Sequence, residues 1–163
     1  MLQYLLNAYA MNLKRLGMHV QDLSAEQMVE QPSGVINHPA WTLGHLAATA
    51  DNLARTLGQE STFPEEWREA CSTGGTPSGN AADFPSKEQL LEQLGAQHER
   101  VAAALSGADE ELLAQPHPNP RGRKIFGTVG GYAVALMTTH EANHLGQLAA
   151  WRRAMDLGSA TGI

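Results

Sequence analysis

The chain has 163 residues, 42% of them hydrophobic and 17% charged, and a net charge of −6. This length predicts one domain, residues 1–163, able to bury a core without staples. The acidic balance argues against a general nucleic-acid binder, which needs a basic excess to displace counterions, and the single cysteine, Cys71, excludes an internal disulfide and fits a reducing compartment.

The opening Met1–Leu6 run has no basic residue before it and is interrupted early by Asn7 and Asn12, a poor signal peptide. No stretch approaches the ~20 apolar residues of a membrane span. A cytoplasmic protein with no membrane partner is the expectation.

Residues 2 to about 22 predict the first helix, with Leu2, Leu5, Leu6, Tyr9, Leu13, Leu16 and Val20 at helical spacing. Ser24 and Gln27 form a capping-box pattern that opens a short turn. Pro39 suits the first position of a second helix, since its missing N–H costs nothing there, and Gly58 suits the residue just past its end. Between Gln59 and Pro85, three prolines, Gly74-Gly75 and Gly79 mark a long connection, with one helical turn expected at 64–70. A 19-residue helix is about 28 Å long. A connection of this length can run back along it and leave helices two and three parallel.

Ser86 and Gln89 predict a capping box for a third helix, whose stripe is Leu90, Leu91, Leu94, His98, Val101, Ala102 and Leu105 and which Gly107 closes. A short piece, 109–114, precedes a proline-rich basic loop, 116–124. Thr128 caps a fourth helix, with Gly130-Gly131 weakening its first turn. Four long helices and no alternating strand predict an all-α four-helix bundle.

The chemistry concentrates in the fourth helix. His140 and His144 are four residues apart, so their imidazoles stack on one side and can share a metal ion. The same stretch spells His-Glu-x-x-His, the zincin protease pattern, with Glu141 in the general-base slot. Gln147 and Ala150 occupy the places where a metzincin has its glycine and third histidine, and there is no strand to hold an extended peptide. The protease reading is therefore set aside. His45 is the better third ligand. It sits mid-helix on a face with Trp41, Ala48 and Asn52, where a histidine is costly unless bonded or coordinated. Facing helices of a bundle bring such ligands together in the core. Three imidazoles leave a coordination position open, as catalytic zinc sites do.

Pro39-Ala40-Trp41-Thr42-Leu43-Gly44-His45-Leu46, followed by His140-x3-His144-x-Gly146-Gln147, resembles the DinB-like superfamily. The resemblance covers nearly the whole chain. It implies an up-down-down-up four-helix bundle with a long second connection, a divalent metal on His45, His140 and His144, and frequent homodimers. Low-molecular-weight-thiol transferases, a mycothiol-dependent isomerase and the iron-binding domain of sulfoxide synthases share this architecture. The last group carries an acidic residue where this chain has Gly146, which argues against an iron-dependent sulfoxide synthase.

The resemblance implies a metal-dependent transferase or hydrolase acting on a small-molecule substrate, with a low-molecular-weight thiol or metal-bound water as nucleophile. A non-catalytic metal-binding stress-response bundle, and a structural protein whose histidines satisfy one another, are the alternatives. No catalytic residue is assigned. Imidazole suits zinc, nickel, copper and iron alike; zinc or nickel is placed ahead of iron. Glu141 turns about 100° from His140 and reads as a surface or outer-shell residue rather than a base. Gln147 is placed to orient a ligand or water, and Gly146 to permit close helix contact. Cys71 has no activating neighbour in sequence. Arg121, Arg123 and Lys124 read as a solvated basic loop, with the carboxylates of a thiol cofactor as the alternative ligand. Trp41 and Trp151 are core anchors and Trp67 packs from the loop. His19, His38, His98 and His117 have no partner spacing.

Overall fold

The computed structural model describes residues 1–74 and 76–160; Gly75 of the Gly74-Gly75 pair and the last three residues of the expected domain lie outside them. The described chain is helical, with no strand and one isolated bridge between Pro116 and Thr128. No helix among the described residues is long and apolar enough to cross a membrane.

Helix α1 spans Leu2–Val20 and ends two residues before the expected limit. The Ser24/Gln27 box forms: Gln27 N donates to Ser24 Oγ and Ser24 N to Gln27 Oε1, at 3.2 and 2.9 Å. Helix α2 spans Pro39–Thr56. Gly58, with φ of +88°, takes the left-handed conformation that an α2 stop requires. The α2 cap is a histidine: Trp41 N donates to His38 Nδ1 at 3.2 Å. Accepting there places the ring proton on Nε2, which donates to Ser78 O at 2.9 Å. His38, given no role by its spacing, therefore caps α2 and ties the long connection to it.

The connection holds two short 3-10 turns, Glu65–Trp67 and Ala81–Asp83. Its start is fixed by the buried Asp51, which accepts from Ser61 Oγ (2.7 Å), Thr62 N (2.9 Å), Arg68 Nη2 (3.2 Å) and Arg100 Nη1 (3.1 Å). Those bonds hold the Asp51 carboxyl below its ordinary pKa against the opposing effect of burial.

Helix α3, Lys87–Gly107, opens with the complete Ser86/Gln89 box. After α4, Glu110–Ala114, the expected basic loop contains a helix, α5, Pro120–Phe126. Asn119 caps it by accepting from Arg121 N at 2.8 Å, and Pro120 fits its first turn. An Asn-Pro pair is a helix start as well as a turn signal, and here the start prevails.

The fourth long element is not one uniform helix. Thr128 Oγ1 accepts from Gly131 N at 3.0 Å and begins α6, Val129–Ala135. A π turn follows at Leu136–His140, and then α7, Glu141–Ala154. Gly131 does more than weaken the start: a Cβ there would overlap the Phe126 carbonyl oxygen, so only glycine lets α5 and α6 meet this closely.

Side-chain pairs order the elements. Asp51 meets Arg100, while a Cβ at Gly44 would reach Leu90; numbers rise together along α2 and α3. Tyr9 stacks on His98 and Lys87 Nζ bonds Gln21 O and Leu23 O; numbers rise in α3 as they fall in α1. The core divides into two apolar clusters. One includes Leu16, Leu43, Leu94, Leu148 and Trp151, the other Leu53, Val101, Leu136 and Met137. In α1, in α3, and in the π turn with α7, polar residues fall between the two: Asn12, Gln97 and His98, then His140, Glu141 and His144. The candidate site belongs to this polar layer.

Candidate metal centre

Three imidazoles meet in that layer. One ring nitrogen from each of His45, His140 and His144 lies within 4.8 Å of the other two. His45 Nε2 stands 3.2 Å from His140 Nε2. Helix α2 supplies His45, the end of the π turn His140 and α7 His144. Because the π turn ends at His140, the step to His144 keeps α-helical spacing, and their ring centroids are 4.7 Å apart. His45 and His144 are 7% and 6% exposed, His140 half-buried.

Burial dominates the electrostatics. It drives the His45 pKa down to about 3, with the nearby His144 and His140 adding to the fall, while a hydrogen bond to the Cys71 backbone opposes it. His144 falls to about 4, from burial first and then His140, with Gln147 opposing. Burial lowers His140 as well. All three rings are therefore neutral near pH 7, the form that binds a metal. His144 Nδ1 is buried without an aligned hydrogen-bond partner.

The residues fit a divalent transition ion. Two nitrogens on a tetrahedral ion, with bonds of about 2.0–2.1 Å, stand about 3.4 Å apart; the His45–His140 separation is close to that. His45 turns Nε2 to His140, so the bond to Cys71 falls to Nδ1–H. Donation from Nδ1 to Cys71 favours the tautomer that presents a lone pair at Nε2, as in metal-ligating histidines whose other nitrogen bonds a carbonyl. Trp41 lies flat on the His45 ring, centroids 4.7 Å apart and planes within 2°, and donates from Nε1 to Ser72 O at 3.2 Å. It is a core anchor that also restrains His45.

A family profile of the DinB superfamily matches residues 8–148. The chain belongs to the DinB superfamily. No curated protein and no solved structure gave a significant match.

The remaining residues divide. In this DinB-superfamily chain Glu141 is not at the surface: it is 3% exposed, with Oε1 at 2.8 Å from His98 Nε2. That nitrogen lies close to the carboxylate but off the line of a hydrogen bond, and Glu141 Oε2 is buried without a partner. Burial raises the Glu141 pKa, with His98 and then Asn12 opposing. His98 in turn stacks on Tyr9, centroids 3.7 Å apart. The sequence carried one signal for His98, its place between Leu94 and Val101 on the α3 stripe; nothing local paired it with Glu141. Gln147 accepts from Asn37 Nδ2 at 3.4 Å. Gly146 does not serve helix contact, because a Cβ there would meet nothing within 4 Å. Cys71 is buried, which pushes its pKa up to about 11 and keeps it a thiol. Arg123 lies on α5 and bonds His117 O at 3.1 Å.

Two spaces approach the centre. A pocket of about 10 Å³, room for roughly one water, is lined by Tyr9, Thr49, His140 and Glu141 among apolar neighbours. A cleft of about 490 Å³ under the long connection is lined by Trp41, Ser72 and Phe84 with Glu66, Glu69 and Asp83. None of the three histidines lines the cleft; Trp41 stands between it and His45.

Proposed function

We propose that this chain is a divalent-metal protein, with His45, His140 and His144 as ligands, that acts as a metal-dependent transferase or hydrolase on a small molecule. The observation that carries the reading is the meeting of three neutral imidazoles, His45 from α2 with His140 and His144 from nearly a hundred residues further along the chain, one ring nitrogen of each within 4.8 Å of the other two. A divalent ion at such a site acidifies a thiol or a water and orients the resulting nucleophile. The protein's own part is to hold the rings: Cys71 backbone and Trp41 restrain His45, and burial keeps protons off all three. The cleft beside Trp41 is the approach we assign to the small molecule, with a low-molecular-weight thiol as the candidate co-substrate.

The donor set favours zinc or nickel over iron. Non-haem iron sites characteristically use two histidines and a carboxylate, and here Glu141, the adjacent carboxylate, is turned to His98. We read the helix pairings as the up-down-down-up order of one bundle domain spanning 1–163. A cytoplasmic homodimer is the assembly we expect, with neither nucleic acid nor membrane as partner.

One observation favours a second reading, a non-catalytic metal-binding stress-response bundle. His45 and His144 are nearly sealed, and the pocket at His140 admits roughly one water. Elemental analysis of purified protein, followed by a screen of thiols with electrophilic acceptors on metal-loaded protein, separates the two. Turnover that is lost with the metal supports the enzyme. Stoichiometric metal with no turnover across the screen supports the binder, and absence of metal after loading overturns both.

A further inference from the structure

A groove of about 620 Å³ runs between α1 and α7. Gly146 and its neighbours Ala142 and Ala149 give it a small-residue wall, and no aspartate or glutamate among the described residues lines it. For a chain of net charge −6, its ionisable lining is one-sided: Arg15 from α1, Arg152 and Arg153 from α7, and His19, with Asn12 and Ser159 as the neutral polar residues. Arg152 is buried and committed to Asp22, through Nη1 at 2.6 Å and Nη2 at 2.8 Å. Arg15 and Arg153 are exposed, and neither guanidinium has a carboxylate within ion-pair distance among the described residues. His19 is 5% exposed, and its Nδ1 is buried with no hydrogen-bond partner.

Two guanidiniums without an acidic partner among the described residues line one groove, beside a buried imidazole whose Nδ1 has no partner and a wall of small residues. We propose that the groove binds an organic anion, its carboxylate or phosphate held by Arg15 and Arg153 beside His19 and its apolar body laid along Ala142, Gly146 and Ala149. Planar guanidiniums match both oxyanions in bidentate geometry. Burying an apolar body on the small-residue wall removes apolar area from water and adds to the affinity. The space over Gly146 is open, so glycine there keeps the groove deep. This site is separate from the three-histidine centre and does not depend on its metal.

The test uses the full chain, with and without zinc, and calorimetric titration of octanoate, octyl phosphate, octanol and octylamine. Binding of octanoate or octyl phosphate, at least tenfold tighter than octanol and octylamine and equal in both metal states, is expected; the two anions distinguish a carboxylate from a phosphate ligand. Arg15→Ala with Arg153→Ala should weaken it at least tenfold. Gly146→Phe should abolish it by filling the groove. Because a Cβ at Gly146 meets no neighbour within 4 Å, Gly146→Ala should keep its melting temperature, and zinc stoichiometry checks that Gly146→Phe is folded. Equal affinity for octanol and octylamine, or undiminished binding in the arginine double variant or in a folded Gly146→Phe protein, would overturn the proposal. If Gly146→Phe fails to fold, the arginine double variant alone decides.

Discussion

Nε2 of His45 and Nε2 of His140 stand 3.2 Å apart across 95 positions of sequence. Two neutral rings at that distance either share one proton or turn two lone pairs on a common cation. The Cys71 bond to the His45 ring leaves the His45 Nε2 without a proton, which suits either case. Metal decides between them. We expect one divalent ion per chain, and stabilisation by RT ln(1 + [metal]/Kd), about 4 kcal/mol at a thousandfold excess over Kd. Thermal melting with and without chelator measures it. His45→Ala should reduce metal content to well below one ion per chain, and full retention would remove His45 from the ligand set.

The pH response has a fixed sign. His45 and His144 have folded-state pKa values lowered to about 3 and about 4 from an ordinary 6.5. Below pH 6.5 the unfolded chain therefore binds more protons than the folded one, and stability rises with pH through that window. Their contribution is complete above about pH 6.5 and is lost as pH falls toward 4 and then 3. Metal-free protein should therefore melt at steadily lower temperature from pH 7 to pH 4. Metal should dissociate over the same range, since protons compete for the ring nitrogens. A melting temperature that is flat or rises on acidification would contradict the assigned burial of these rings.

How far the sequence reached depends on whether a feature is local. Pro39, Gly58, Ser86 with Gln89, and Thr128 mark helix ends through bonds made within a few residues, and each stands where those bonds predict. His140 and His144 were legible because four residues return to the same side of a helix; His45 followed only by adding the bundle's geometry and a family resemblance. The π turn left no sequence pattern, because its extra residue is accommodated by packing, including the bond from Asn12 Nδ2 to Met137 O at 3.2 Å. Of the two places expected for Glu141, the surface one fails for a related reason. Turning away from His140 by one helical step puts it on another face of α7, but whether that face meets solvent or α3 depends on the neighbour. His38 was missed because a histidine seldom caps a helix and its second bond reaches 40 residues away.

The Glu141–His98 pair should be a major structural contact of the polar layer. Both side chains are 4% exposed and 2.8 Å apart. Removing one member leaves the other's polar atoms buried without compensation, and such losses cost roughly 1–3 kcal/mol. His98→Ala also removes the ring that stacks on Tyr9, so it should be at least as damaging as Glu141→Ala. The double variant should lose less than the sum of the two, with a coupling of roughly 0.5–3 kcal/mol. Urea denaturation of the four proteins measures this cycle. Strict additivity would show that the two groups are neighbours without being energetic partners.

Gly44 tests the packing between α2 and the long connection, one residue before His45. A Cβ on Gly44 would overlap Cys71 Sγ and approach Leu90 Cδ2 to 3.5 Å. In an α-helix, glycine to alanine ordinarily stabilises by about 0.5–1 kcal/mol, so the sign of the change is informative. Here Gly44→Ala should destabilise by about 1–3 kcal/mol, the usual cost of overpacking a core. It should also weaken metal binding, because displacing Cys71 disturbs the backbone group bonded to the His45 ring. Cys71→Ala in the same chain removes the overlapping sulfur and should restore much of both. Unfolding free energies and metal affinities of the two single variants and the double variant provide the comparison. A Gly44→Ala protein with unchanged or increased stability would mean that Cys71 yields freely and does not hold His45.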